Sequence, residues 1–311
     1  MTAPPSAPGE SRLALTAGIA CYLIWGVMPL IFQTLTRLGA GALEALAHRT
    51  VWALPLAGVF VLAAGQRGEA ARVLRTPRTL AWLALSSTLI AANWGVFIWA
   101  ATHGRVLETS LGYYIVPLVS MTAGALLFGE RVDRTGQAAI GLAAVGVVLQ
   151  ALALGHLPLV SLAVALSFGA YGIVRKRVAA EAQTGLFVEC LVLGAPALAY
   201  VLWLEHAGLG HFREPMVAAW LVVAGVVTAT PLMLFAWAAR RMSLQAMGFL
   251  QFLTPTITFG VGVAQGEAFT PLRAASFGLI WAGAGVFAWG AWRNARRVAA
   301  YARPAGETVR E

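Results

Sequence analysis

The chain has 311 residues, 59% of them hydrophobic and 11% charged, with a net charge of +9. A soluble chain carries about 25% charged residues, so this composition excludes a water-facing globular surface; with a mean hydropathy of +0.75 it reads as an integral membrane protein. In a soluble chain the positive charge would point to nucleic acid; here membrane topology accounts for it, and no nucleic-acid partner is expected.

Residues 1–11, rich in Pro, Ala and Ser, read as a disordered tail without the basic start of a secretory signal. Ten apolar runs follow, each near the roughly 20 residues a helix needs to cross a bilayer: about 13–36, 43–64, 79–101, 106–128, 136–154, 157–175, 184–204, 216–239, 242–264 and 271–292. They are continuous and rich in Leu and Ala, not the short alternating segments of a barrel. A basic tail, 294–311, closes the chain. With the N-terminus inside, 17 Lys and Arg fall on the inner side and four (Arg37, Arg105, Arg213, Arg273) on the outer, leaving Arg49 within a span. Basic loops stay in the cytoplasm, so both termini are expected there. Cys21 and Cys190 lie in apolar runs and read as small apolar filler, not a disulfide framework or a metal site.

The chain repeats itself. FIWAA (97–101) and FAWAA (235–239), and Pro117 and Pro255, stand 138 residues apart. Glu130 of LLFGE and Glu267 of VAQGE, Gly141 and Gly278, and Gly146 and Gly283 stand 137 apart. CYLIWG (21–26) resembles SFGAYG (167–172) at an offset of 146. Two five-helix repeats follow, 12–154 and 155–293. Because five is odd, the second must be inverted relative to the first, an architecture suited to alternating access. Six prolines sit inside spans: Pro29, Pro55, Pro117, Pro196, Pro231 and Pro255. Pro117 and Pro255, recurring at the repeat offset, are expected as hinges or cavity walls.

Ionisable groups inside spans are costly unless paired or wetted. In LEALAHRTVW (43–52), Glu44 and His48 are one helical turn apart, with Arg49 one step round. Either they line a substrate cavity or they form an interfacial knot in which Glu44 pairs with Arg49 or Arg37. In the cavity reading Arg49 and His48 face water, Glu44 partners Arg49 while the site is empty, and His48 or Glu44 takes up a proton. Glu189 is the other deep acid; matching Pro55 with Pro196 sets it opposite His48, and its alternative is a pairing with the Arg175–Arg177 cluster. Asn93 reads as a helix–helix hydrogen bond or a cavity ligand. Glu108 reads as a surface partner of Arg105. Tyr113, Tyr114, Gln251 and Trp25 are candidates for a pocket lining, with core packing as the alternative. Glu130 and Glu267 read as loop caps. No zinc-protease, Walker A, dinucleotide, CxxC or serine-elbow motif occurs, so no catalysis, cofactor or metal is expected.

The inverted duplication, with WG in the first helix and GE after the fourth, resembles the EamA family of the drug/metabolite transporter superfamily. LEALAHRTVW, NWGVFIWA, GRVLETSLGYY, ALSFGAYGIVRKR and TPLMLFAWAARR resemble its RarD branch, over about residues 12–292. GYYIVPL stands where the branch usually carries GYFINPL, so Val116 replaces an asparagine. The resemblance implies a permease of the bacterial inner membrane, often an exporter of amino-acid-like metabolites or amphipathic compounds, and carries over no catalytic residues. The expected fold is all-α, ten transmembrane helices in two inverted repeats around a cavity. The expected function is secondary, ATP-independent transport of a small polar or amphipathic molecule, coupled to protons or exchange; a non-transporting scaffold is the alternative. The bilayer, a small-molecule substrate and protons are the expected partners, and a homodimer is allowed.

Overall fold

A computed structural model describes residues 8–128, 134–154, 157–239 and 250–301. Among the described residues every regular element is a helix: α1 Pro8–Arg37, α2 Ala42–Ala63, α3 Arg67–Leu74, α4 Pro77–Thr102, α5 Val106–Phe128, α6 Arg134–Leu154, α7 Leu159–Arg177, α8 Ala182–His206, α9 Pro215–Ala239, α10 Leu253–Ala264 and α11 Pro271–Tyr301. Proline opens α4, α9 and α11, where its missing N–H costs nothing. α1, α2, α8 and α9 run on through Pro29, Pro55, Pro196 and Pro231. Among the described residues seven helices are long and apolar enough to cross a membrane, and Leu159–Arg175 and Leu253–Ala264 are shorter apolar helices. The molecule is an all-α integral membrane bundle.

Every helix but α3 falls on an expected run. α3 does not, because it is eight residues long and polar, with only Ala70 and Val73 buried. Glu130, Arg131, Arg240, Arg241 and the start of the ninth run lie outside the described residues, as do the tail 302–311 and residues 1–7.

The two halves interleave. The most extensive packings all join a helix from residues 12–154 to one from 155–293: α6 with α11, α2 with α8, α1 with α9, α5 with α7, α2 with α9, α4 with α7, α1 with α10 and α5 with α10. The pairings come in matched sets. If α1, α2, α4, α5 and α6 are exchanged for α7, α8, α9, α10 and α11, the α1–α9 packing becomes α7–α4, and α5–α7 becomes α10–α1. At finer scale, a Cβ on Gly146 would meet Ile280 and the Ser276 carbonyl, while one on Gly283 would meet Leu142 and the Ala139 carbonyl. Ser276 and Ala139 are themselves 137 apart, the offset of the two glycines.

One register differs from the sequence expectation. A Cβ on Gly26 would fall 2.7 Å from Ile257, and one on Gly169 would fall 2.5 Å from Val119. Val119 and Ile257 are 138 apart, so Gly169, at an offset of 143, is the structural mate of Gly26; Gly172, at 146, faces open space. The shift of three residues is nearly one helical turn, which a similarity of letters does not distinguish.

Candidate functional site

One end of the bundle is tied shut across the halves. Gly266, at φ +81°, closes α10 in a left-handed turn. The next residue, Glu267, turns back onto the start of α5, its carboxylate accepting from the Val106 and Leu107 amides, the latter at 2.9 Å. An acidic side chain suits a helix N-terminus, where amides lack partners. Burial pushes the Glu267 carboxyl above its ordinary value, against the pull of the two amides and Arg273. Gln33 of α1 and Gln265 exchange amide hydrogen bonds, one at 2.9 Å. The α8–α9 loop docks on α2: the His211 amide and Nδ1 each lie 2.8 Å from the Glu44 carboxylate, and Phe212 stacks on His48 and Trp52 with centroid distances of 5.0 and 5.8 Å.

Deeper, between the halves, lies a cavity of about 350 Å³. Its walls are aromatic. Trp25, Trp94 and Phe97 come from α1 and α4, Tyr113 from α5, Phe168 and Tyr171 from α7, and Phe235 from α9. Arg49, Glu189, Thr228, Gln251 and Thr254 supply the polar lining.

Arg49 is 4% exposed, on α2. Its guanidinium lies 4.0 Å from the Trp94 ring centroid and 5.7 Å from that of Phe32. Such cation–π contacts are worth about 2 kcal/mol or more when desolvated. They stabilise the charge but supply no hydrogen-bond acceptor. Nε has no hydrogen-bond partner, and among the described residues no carboxylate lies within ion-pair distance. Glu189, 3% exposed on α8, is well satisfied. Its carboxylate accepts from Ser86 Oγ at 2.5 Å and Tyr171 OH at 3.2 Å, with Arg175 Nε 3.6 Å away.

Several sequence expectations are placed differently. Glu44 does not partner Arg49, because the His211 loop takes both its oxygens. His48 is 2% exposed and outside the cavity lining; its ring is stacked on Phe212, and neither its Nδ1 nor Trp52 Nε1 has a hydrogen-bond partner. It therefore does not face water beside Arg49. Asn93 makes the helix–helix bond: Nδ2 donates to the Val164 carbonyl at 3.0 Å and to Ser167 Oγ at 3.1 Å, and Oδ1 accepts from Tyr113 OH. Tyr114 lies outside the cavity, its hydroxyl 2.5 Å from Thr256 Oγ and its ring stacked on Phe252. Tyr113, Gln251, Trp25 and Pro255 do line the cavity, whereas the Pro117 side chain lies outside the described ones. Glu108 pairs with Arg105 through two hydrogen bonds of 2.6 and 3.0 Å. Trp94, Phe168 and Tyr171 were missed as lining residues, although NWG and SFGAYG supplied them; Ser86 and His211 carry no signal outside the fold.

An interleaved bundle of apolar helices long enough to cross a membrane, with an aromatic-lined cavity between its halves, has the architecture of a multi-pass membrane protein. The model of the EamA-like transporter family matches residues 12–152. The chain is 41% identical to Protein RarD of Streptomyces exfoliatus, over 97% of this chain and 96% of that one. It is 35% identical to Protein RarD of Escherichia coli K12, over 93% and 98%, and 37% identical to an uncharacterized transporter of Vibrio cholerae, over 89% and 92%. A protein of known crystal structure shares the fold with a TM-score of 0.61 at 19% identity, over 90% of this chain and 98% of the other. The chain belongs to the EamA-like transporter family, in its RarD group.

Proposed function

We propose that the chain is a secondary, ATP-independent exporter of a small polar or amphipathic molecule, driven by protons or by exchange, and that it is not an enzyme. In this reading ten helices cross the inner membrane as two inverted repeats, 12–154 and 155–293, between cytoplasmic segments 1–11 and 294–311. The 17-to-4 distribution of basic residues supports a cytoplasmic location for both termini, and the matched packing of the halves supports the inversion. The latched end then faces outward. Substrate enters from the cytoplasm, and exchange of conformation between the halves opens the Glu267, Gln33–Gln265 and Glu44–His211 contacts to release it.

The observation that carries this reading is Arg49: a permanent cation, buried in the cavity between the halves, without a carboxylate partner among the described residues. A scaffold gains nothing from holding an unpaired charge there, whereas a carrier needs a charge that its substrate completes. Metabolite profiling of medium from deletion and overexpressing cells, followed by counterflow in proteoliposomes, tests it. A compound that accumulates outside only when the protein is present, and exchanges in counterflow, is the expected result. Unchanged media from both strains would favour a scaffold.

A further inference from the structure

Three buried carboxylates are already answered: Glu189 by Ser86, Tyr171 and Arg175; Glu44 by His211; Glu108 by Arg105. Arg49 is not. Trp94 and Phe32 lie against the guanidinium at 4.0 and 5.7 Å and supply no acceptor, and Nε has no hydrogen-bond partner, so what the group lacks is an acceptor along its N–H edge. A carboxylate fits that edge through paired hydrogen bonds. Among the described lining residues an ammonium ligand would find no free anion. To use Glu189 it would have to displace Arg175, leaving a mostly buried guanidinium uncompensated. The remaining lining is rings and neutral groups (Thr228, Gln251, Thr254), which ask for an apolar, preferably flat body.

We infer that the cavity is a receptor for amphipathic organic monoanions, with a carboxylate on the Arg49 edge and an apolar or aromatic body among Trp25, Phe97, Tyr113, Phe168 and Phe235. The inference rests on the reading of this cavity as the substrate site. It goes further in setting the net charge: simple anions outrank zwitterions with the same body, and zwitterions outrank amines. A zwitterion brings a cation that nothing in the cavity calls for, and its desolvation goes unreturned.

The test is a thermal-shift titration of the purified full-length protein with ligands that share a phenyl body and differ in head group: 3-phenylpropionate, phenylalanine, 3-phenylpropanamide and phenethylamine, with inorganic phosphate as a bare anion. Stabilisation by 3-phenylpropionate is expected at a concentration at least tenfold lower than by phenylalanine or the amide, with no shift from phenethylamine or phosphate. Arg49→Gln should raise the 3-phenylpropionate midpoint at least tenfold, and Arg49→Lys by less, since it keeps the charge and loses the paired geometry. The head-group series on the unmodified protein stands even if a variant fails to fold. The inference is overturned if phenethylamine or phenylalanine stabilises as well as the acid, or if phosphate alone produces the same shift. Flux of the bound acid in proteoliposomes separates the two readings. Binding without flux would remove the transporter reading and keep the receptor; flux of the amine without anion binding would do the reverse.

Discussion

By the sequence match of Pro55 with Pro196, Arg49 and Glu189 fall at nearly matching positions of the two halves. Matching Pro55 with Pro196, at an offset of 141, sets His48 against Glu189 and Arg49 against Cys190. α2 and α8 pack on each other, and Arg49, Glu189 and Cys190 all line the one cavity. The helix packings of the two halves come in matched sets, but the chemistry at these positions does not match. One half carries a buried charge beside aromatic rings, without a carboxylate partner among the described residues; the other carries a buried carboxylate with two hydroxyl donors and a guanidinium 3.6 Å away. A satisfied charge is part of the structure, whereas an unsatisfied one costs stability and is retained for what it binds.

The difference is most sharply broken at Arg49. Arg49→Ala should abolish proteoliposome counterflow, at least 100-fold, while abundance in isolated membranes stays at the parental level. Arg49→Met should also unfold no earlier than the parent on heating in detergent, because a buried charge lacking a counterion has been removed. Glu189→Ala should do the opposite to stability, since it strands Arg175: a loss of about 3 kcal/mol, the usual result of halving a buried pair, read as a lower melting temperature by tryptophan fluorescence. Equal and opposite charges with equal effects on stability would erase the distinction.

The shared frame is probed by the glycines. Gly26→Ala and Gly169→Ala should each cost about 1–3 kcal/mol, because a Cβ at either collides with Ile257 or Val119. Gly172→Ala, facing open space, should be neutral or better by up to about 1 kcal/mol. The reverse order would restore the 146 offset. The smallest effect is at Glu267. Its carboxyl is raised by burial, so the folded protein binds the proton more readily than the unfolded chain does. Its contribution to stability is therefore greatest at low pH and declines as pH rises from the ordinary carboxyl value through the raised one. Glu267→Gln should flatten that slope in melting curves taken across acidic to neutral pH, at a cost of about 1 kcal/mol for weakened hydrogen bonds to α5.

The sequence made the class and the helices legible because both are written in long patterns, the apolar runs and the Gly, Pro and charge clusters between them. Arg49 was legible for the same reason, an ion where the surroundings allow none. Partnership was not. Glu44 and Arg49 are neighbours along the helix, yet Glu44 is claimed by a loop that begins more than 160 residues later, and only folding brings His211 there. His48 shares a turn with Glu44, but the same loop presents Phe212 and seals it. The Trp94 platform was visible as a letter in NWG and invisible as a partner, because helix-to-helix register decides which ring meets the guanidinium.

Cys190 provides the most direct test of the central claim, that the cavity holds an unanswered positive charge, because its side chain lines the cavity beside Arg49. In a Cys21→Ala background, Cys190 is reacted with methanethiosulfonate reagents bearing a sulfonate or a trimethylammonium, and each rate is divided by the rate for free mercaptoethanol. The account predicts that the normalised sulfonate rate exceeds the ammonium rate and that Arg49→Gln abolishes the preference. A normalised ammonium rate equal to or above that of the sulfonate in the Arg49 protein would contradict it.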